Sequence, residues 1–136
     1  MKETIILTPT SPGELIDKIT VLKIKREQIT NPERVDNIER ELSMLEEVRS
    51  KHFPDTKELR DAIQEMENRL KEVNEIIWHM SEKIREYSDA KKFDKDFTDV
   101  SLKIHLSNDI RATVKKEINL LLGSSIIEEK SYKHWK

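Results

Sequence analysis

A strip of polar side chains on the fourth predicted helix is the part of this sequence best suited to chemistry. Asn108, Arg111, Lys115 and Asn119 follow one another at spacings of three or four residues, which places them on one side of a helix. Apolar residues such as Ile118 border the strip. Half-buried cations and amides at the edge of a core suit an anionic ligand that also forms hydrogen bonds. The alternative is a solvated face that pairs with acidic side chains of a neighbouring helix.

The first predicted helix carries a second polar strip. Its lysines lie at helical spacing beside Asp17, and Ser11 precedes the helix, where the free backbone amides of the first turn can bind an anion. If the first and fourth helices are neighbours, cations from both can line one pocket. These cations are Lys18, Lys25, Arg111 and Lys115. The alternative is that the two lysines of the first helix extend over the core into solvent, as lysines commonly do.

A polar segment follows the fourth helix and has two possible roles. After Gly123 the chain reads SSIIEEKSY, which includes Lys130 and Tyr132. This segment can close a pocket, as loops on a helical scaffold often do, or it can be a solvated tail. Within such a pocket Asn108 and Asp109 would select the hydrogen-bonding edges of a ligand. An aromatic side chain, Trp78 or Tyr132, could stack on it, although packing is the simpler role for Trp78.

The histidines and carboxylates do not form a metal or cofactor motif. Two His–carboxylate pairs have a spacing of four residues: Glu75 with His79, and His105 with Asp109. Di-iron bundles instead use a spacing of three, supplied twice and supported by further glutamates. We therefore expect no metal and no cofactor.

Catalytic signatures are also missing. The chain has no cysteine, no glycine-rich phosphate loop, no G-x-S-x-G and no H-E-x-x-H. Two acidic pairs, Glu58 with Asp61 and Glu72 with Glu75, match the spacing of magnesium-binding pairs in helical nucleotide pyrophosphohydrolases. Such pairs also arise by chance in a chain this rich in glutamate. The sequence favours a binding protein over an enzyme.

The elements that would position these residues are helices. An apolar heptad pattern runs from Leu59 to Tyr87 and predicts one long helix with an apolar seam. Capping signals at Ser11, Asn31 and Asp55, and Gly123 after the fourth helix, divide the chain further. The predicted helices span 12–30, 32–52, 56–88, 96–122 and a short 126–134, and Thr4–Thr8 is a strand or an extended arm.

These elements predict an all-α bundle in one domain. The short turn at Phe53-Pro54 predicts that the second and third helices form an antiparallel hairpin. The long third helix should organise the fold. The first helix is apolar on two sides, so we expect it to be central or shared with a second chain. We expect a homo-oligomer.

Composition narrows the class of partner. Lys and Arg number 25 against 27 Asp and Glu, a formal charge of -2, which disfavours binding to long nucleic acids. The chain lacks an apolar run long enough to cross a membrane and a signal-peptide pattern. We therefore expect a soluble protein in the cytoplasm of a bacterium, or of the host cell if a phage encodes it.

The stretches SPGELIDKITVLKIKREQI, NDIRATVKKEINLLLGS and EEKSY, together with Trp78, resemble a family of small uncharacterised helical proteins from bacteria and phages. The family's motifs read S-x-G-E-L-x-D-K, N-D-x-R-A-x-x-K and E-E-K-S-Y, and the likeness spans most of the chain. The resemblance implies a shared polar site but not its ligand. The implied positions are Ser11, Gly13, Glu14, Asp17, Lys18, Lys25, Trp78, Asn108, Asp109, Arg111, Lys115, Glu129, Lys130 and Tyr132.

These observations favour a binding protein that holds a small phosphorylated or nucleotide-like ligand between its first and fourth helices. A phage protein that sequesters a host immune signalling nucleotide would fit this description. The alternatives are a coiled-coil module for protein–protein interaction and a magnesium-dependent helical pyrophosphohydrolase.

Overall fold

A computed structural model describes residues 3–130 and forms four α-helices, which confirms the all-α prediction. In chain order these are α1 (Pro12–Gln28), α2 (Pro32–His52), α3 (Lys57–Asp89) and α4 (Lys95–Leu121). Each helix begins and ends within two residues of its predicted bounds. Capping and proline signals are local, so they locate helix ends without information about the rest of the fold.

Most helix ends follow the predicted capping residues. The Ser11 hydroxyl accepts a hydrogen bond from the Glu14 backbone N–H (3.2 Å), and the Asn31 side chain accepts two at the start of α2. Gly123 has a φ of 66°, the left-handed conformation expected after α4. The cap of α3 is Thr56 rather than the predicted Asp55, whose carboxylate instead pairs with a nearby arginine.

The predicted short helix at 126–134 is not formed over residues 126–130, which have no regular secondary structure. Residues 131–134 lie outside the described part of the chain. In place of a helix cap, the Ser124 hydroxyl donates to the Ile126 carbonyl oxygen (2.7 Å) and accepts from the Ile126 N–H (3.1 Å). The chain therefore forms a local turn at residues 124–126, where the predicted helix would have begun.

Helix α1, rather than the long α3, is the centre of the bundle. It contacts α2, α3 and α4, whereas α2 has backbone neighbours only in α1. Its two apolar sides are both used within the chain, because Leu22 and Ile24, about 160° apart around the helix, are both buried. The sequence prediction that α1 is central is correct. The main core cluster is Leu15, Ile16, Ile19, Leu22, Ile38, Leu42, Ile63, Leu70, Val114 and Ile118.

The helical hairpin forms between α3 and α4, not between α2 and α3 as predicted. These two helices make the most extensive contact in the bundle, and Arg69 pairs with Glu117 across it (2.7 Å). Helix α1 crosses this hairpin: Gly13 and Asp17 contact α4, whereas Lys23 and Glu27 contact α3. The α2–α3 turn is short, but α1 lies between the two helices and separates their backbones.

The end of the hairpin away from α1 is loosely packed. No residue from 75 to 106 is fully buried, and among the described helices this half contacts only its hairpin partner. On α4, Val114 and Ile118 are fully buried, whereas Ile110 is exposed. Leu102, Leu106 and Ile110 form an exposed apolar stripe on α4.

The remaining segments are simple. Residues 3–10 are exposed and form neither helix nor strand, so Thr4–Thr8 is an extended arm. Helix α2 contacts α3 through an ion pair: the buried Glu67 carboxylate of α3 pairs with Arg49 of α2 at 2.9 Å. The same carboxylate pairs with Lys23 of α1, also at 2.9 Å. Within the part of the chain that the structure describes, none of the helices combines the length and apolar character needed to cross a membrane.

Candidate functional site

The Asp17 carboxylate is the centre of a polar network that joins three helices. Arg111 of α4 binds it with two parallel hydrogen bonds, Nε to Oδ1 at 2.9 Å and Nη2 to Oδ2 at 2.5 Å. Asn74 of α3 donates to the same Oδ1 (2.9 Å) and to the Thr20 hydroxyl (2.9 Å). The Thr20 hydroxyl in turn donates to the Asp17 backbone oxygen (2.7 Å). Every atom of the carboxylate therefore has a partner, as a buried charge requires.

The Asp17–Arg111 pair is shielded from solvent on one side. The Asp17 side chain is only 3% exposed, whereas Arg111 is 31% exposed and reaches the surface. The hydrogen bond to Asp17 raises the pKa of the Arg111 guanidinium above its ordinary value, which burial alone would lower. A bidentate arginine–carboxylate contact also fixes the orientation of both groups. The pair therefore sets how α1 and α4 are positioned relative to each other.

Lys115 lies one helical turn beyond Arg111 and is surrounded by carboxylates. Its side chain is 13% exposed, and its ammonium lies 2.7 Å from the Glu14 carboxylate, 3.8 Å from Asp17 and 3.6 Å from Glu128. Glu14 and Asp17 belong to α1, whereas Glu128 belongs to the irregular segment after α4. Lys115 is thus the point at which α1, α4 and that segment meet.

Gly13 allows α1 to approach α4 closely beside this site. A Cβ atom on Gly13 would lie 2.4 Å from the Lys115 backbone oxygen and 2.9 Å from Asn119 Oδ1, so any side chain would clash with α4. The Gly13 N–H donates to that Asn119 oxygen at 2.7 Å. Asn119 is therefore a second cap for the first turn of α1, next to Ser11.

Two adjoining clefts open above this network. The larger, of about 680 Å³, lies along α4 between the apolar side chains of Leu102 and Leu106 and the polar side chains of Asn108 and Arg111. The smaller, of about 360 Å³, lies between the start of α1 and α4. Lys115, Asp109, Glu128 and Lys130 line both clefts. The two clefts together have the size and mixed polarity of a small-molecule site.

The structure brings together most, but not all, of the predicted site residues. Those in or directly beneath the clefts are Ser11, Asp17, Asn108, Asp109, Arg111, Lys115 and Lys130. The predicted meeting of Lys18 with Arg111 is wrong, because Lys18 is 58% exposed and pairs with Glu41 of α2 at 2.9 Å. Lys25 lies seven residues, almost two turns, from Lys18 and so shares its face of α1. A cationic pocket built from both helices is therefore not formed.

Of the two predicted aromatic residues, Trp78 lines neither cleft. Trp78 lies on α3 one turn after Asn74. Arg69 of α3 pairs with Glu117 of α4 across the antiparallel hairpin. Trp78 lies nine residues after Arg69, and it is therefore opposite Asn108, nine residues before Glu117. Its indole N–H is buried and has no acceptor within residues 3–130. Tyr132 lies outside the described residues.

The predicted site residues did not include two important contributors, Asn74 and Glu128, although Glu128 belongs to the segment SSIIEEKSY that was interpreted as a pocket-closing loop or a solvated tail. Asn74 lies four residues after Leu70 and four before Trp78, so it is a polar residue on an otherwise apolar strip of α3. An amide in that position is a recognisable signal of a buried hydrogen bond. Glu128 gave no comparable signal, because its role depends on the path of the chain after Gly123. Glu14, one of the positions implied by the resemblance, binds Lys115 through its carboxylate.

The acidic pairs of α3, which match the spacing of magnesium-binding pairs, are not gathered around a metal site in the described part of the chain. Among residues 3–130, no group of three or more histidine and carboxylate side chains is placed to hold a metal ion. Glu58, Asp61 and Glu72 are exposed on α3, and Glu75 pairs with Lys71 at 3.1 Å.

Comparisons of this chain with models of known families, with curated proteins and with solved structures give no match. The function is therefore inferred from the geometry of the two clefts.

Proposed function

We propose that this protein binds a small anionic or nucleotide-like molecule in the two clefts between the start of α1, α4 and residues 126–130, without catalysing a reaction. The observation that supports the proposal best is the position of Lys115. Its side chain is largely buried, yet it lines both clefts, and its ammonium lies beside the bidentate Asp17–Arg111 pair. A rigid cation at the floor of a cleft is suited to bind an anionic group.

The rest of the larger cleft suits the remainder of such a ligand. Leu102 and Leu106 offer an apolar wall, and Asn108 offers both a donor and two acceptor lone pairs. An apolar ring or chain can lie on the wall while its polar edge bonds to the amide. Because Arg111 and Asn74 are held by Asp17, the floor of the site is organised before a ligand arrives, which reduces the entropy lost on binding.

A ligand screen tests this proposal. The purified chain is melted in the presence of nucleoside monophosphates, sugar phosphates and small carboxylic acids, and native mass spectrometry looks for a co-purified small molecule. A ligand at a hundredfold excess over its Kd stabilises the native state by about 2.7 kcal/mol. We expect at least one compound class to raise the Tm by several degrees.

Two asparagine variants locate the binding. Asn108→Ala removes an amide from the larger cleft and should reduce the Tm shift, whereas Asn37→Ala, on an exposed position of α2, should leave it unchanged. If no compound shifts the Tm and the native mass equals that of the chain alone, the proposal is wrong. A coiled-coil module for protein–protein interaction then becomes the better description.

We further propose that the chain forms a homo-oligomer. The support for this comes from the apolar stripe of Leu102, Leu106 and Ile110, each about half exposed on the loosely packed end of the hairpin. The second apolar side of α1, which suggested an oligomer from the sequence, is covered within the chain and gives no support. The stripe adjoins the larger cleft, since Leu102 and Leu106 belong to both.

A further inference from the structure

The charges around the two clefts are balanced, which limits the kind of anion that can bind. Among residues 3–130, four cations line the clefts, at positions 111, 115, 116 and 130, and four carboxylates do so, at positions 14, 109, 128 and 129. Asp17 adds one more negative charge beneath them. A ligand with three or four negative charges would therefore meet no excess of positive charge and would gain little Coulomb energy.

Glu128 differs from the other carboxylates that contact Lys115. Glu14 and Asp17 are carried by α1, so the packing of that helix fixes their positions. Glu128 lies on the irregular segment after α4, is 50% exposed, and is held by ion pairs to Lys115 (3.6 Å) and Lys130. Lys130, and then Lys115, hold the pKa of the Glu128 carboxyl below its ordinary value, so this group is ionised at neutral pH.

We propose that the Glu128 carboxylate occupies the position on Lys115 that the anionic group of the ligand takes, and that the ligand therefore carries a single phosphate or carboxylate group. This inference rests on the proposed binding function and adds the ligand class and a specificity-determining residue. A ligand carboxylate replaces the charge of Glu128 beside Lys115 one for one, and a single phosphate group exceeds it by at most about one charge. Residues 126–130 can move aside without disturbing a helix, because none of them is part of one.

The test compares two neighbouring charge removals, Glu128→Gln and Glu129→Gln. Both variants lose one carboxylate that lines a cleft, but only Glu128 forms an ion pair with Lys115. The probe is inorganic phosphate, titrated into each ¹⁵N-labelled protein and followed by amide chemical shifts. Surface ion pairs contribute modestly, so we expect E128Q to bind phosphate about three- to tenfold more tightly than the wild type. E129Q should remain within about twofold.

The location of the shifts and a second probe complete the experiment. In E128Q the largest shifts should occur in residues 111–119 of α4, and tripolyphosphate should bind no more tightly than phosphate at equal ionic strength. Unchanged or weaker phosphate binding by E128Q overturns the inference, and so does a marked preference for tripolyphosphate. If E128Q fails in this way while the wild type still binds a compound from the ligand screen at Asn108, the proposed function stands and only the role of Glu128 is wrong.

Discussion

At the scale of single residues, the bundle depends on one buried carboxylate. Asp17 accepts hydrogen bonds from Arg111 and Asn74 and thereby connects α1 with both helices of the hairpin. Breaking a buried ion pair is costlier than the pair's net contribution to stability, because the remaining charge has no partner. Here the remaining charge would be Arg111, which is partly exposed and can recover some hydration.

Replacement of Asp17 by asparagine tests this role. The new amide places donors against the donors of Arg111 and removes the negative charge beside Lys115. We expect Asp17→Asn to lower the free energy of unfolding by about 3 kcal/mol, measured by urea denaturation. Asp36→Asn, on an exposed position of α2, serves as the control and should change it by less than about 0.5 kcal/mol. An equal effect of both substitutions would contradict a structural role for the Asp17 network.

At the scale of elements, burial rather than length decides which helix organises the chain. Helix α3 has 33 residues and an apolar seam, but only its first half packs on α1. Helix α1 has 17 residues, of which eight are buried, and it contacts every other helix. The half of the hairpin beyond α1 therefore has fewer stabilising contacts than the half beneath it.

Amide hydrogen exchange should reveal this difference along a single helix. Local opening is easiest where few apolar side chains are buried. We expect slow exchange in residues 63–74 of α3 and 111–119 of α4, and exchange at least about tenfold faster in residues 80–104. Residues 63–74 provide an internal control, since they belong to the same continuous helix as 80–89. Uniform protection along α3 would mean that an interaction outside the described fold stabilises the distal half.

At the scale of the whole molecule, the buried polar network and the exposed apolar stripe lie on different halves of the hairpin. The Asp17 network lies beside α1, whereas the exposed apolar stripe of Leu102, Leu106 and Ile110 lies on the distal half. Contiguous apolar patches on a soluble surface commonly mark interfaces. The weakly packed half of the hairpin would gain stability from a second chain.

Sedimentation at several concentrations tests self-association. We expect the wild-type chain to sediment above its monomer mass of 16.1 kDa, and a Leu102→Lys, Leu106→Lys double variant to sediment as a monomer. Leu120→Lys, at an exposed position of α4 outside the stripe, should not alter the assembly. A wild-type protein that remains monomeric at every concentration would contradict the proposed oligomer.

The sequence by itself determined the four helices and the polar strip of α4. Heptad spacing, Ser11, Asn31 and Gly123 act through local geometry, so each can be interpreted without its neighbours. The same local reasoning places four polar residues on one strip of α4, because the spacing of residues on one helix is a property of the helix alone. These residues are Asn108, Arg111, Lys115 and Asn119.

Only the tertiary structure decided which helices meet and which charges converge. The Phe53-Pro54 turn suggested an α2–α3 hairpin, but α1 intervenes and leaves α4 as the partner of α3. Asp17 and Lys18 are adjacent in the sequence. The rotation of about 100° between them around the axis of α1 nevertheless directs Asp17 to Arg111 and Lys18 to Glu41 of α2. The position of Glu128 follows from the path of a segment without helical periodicity. Contacts between elements depend on how their apolar faces fill space together, and no local pattern encodes that result.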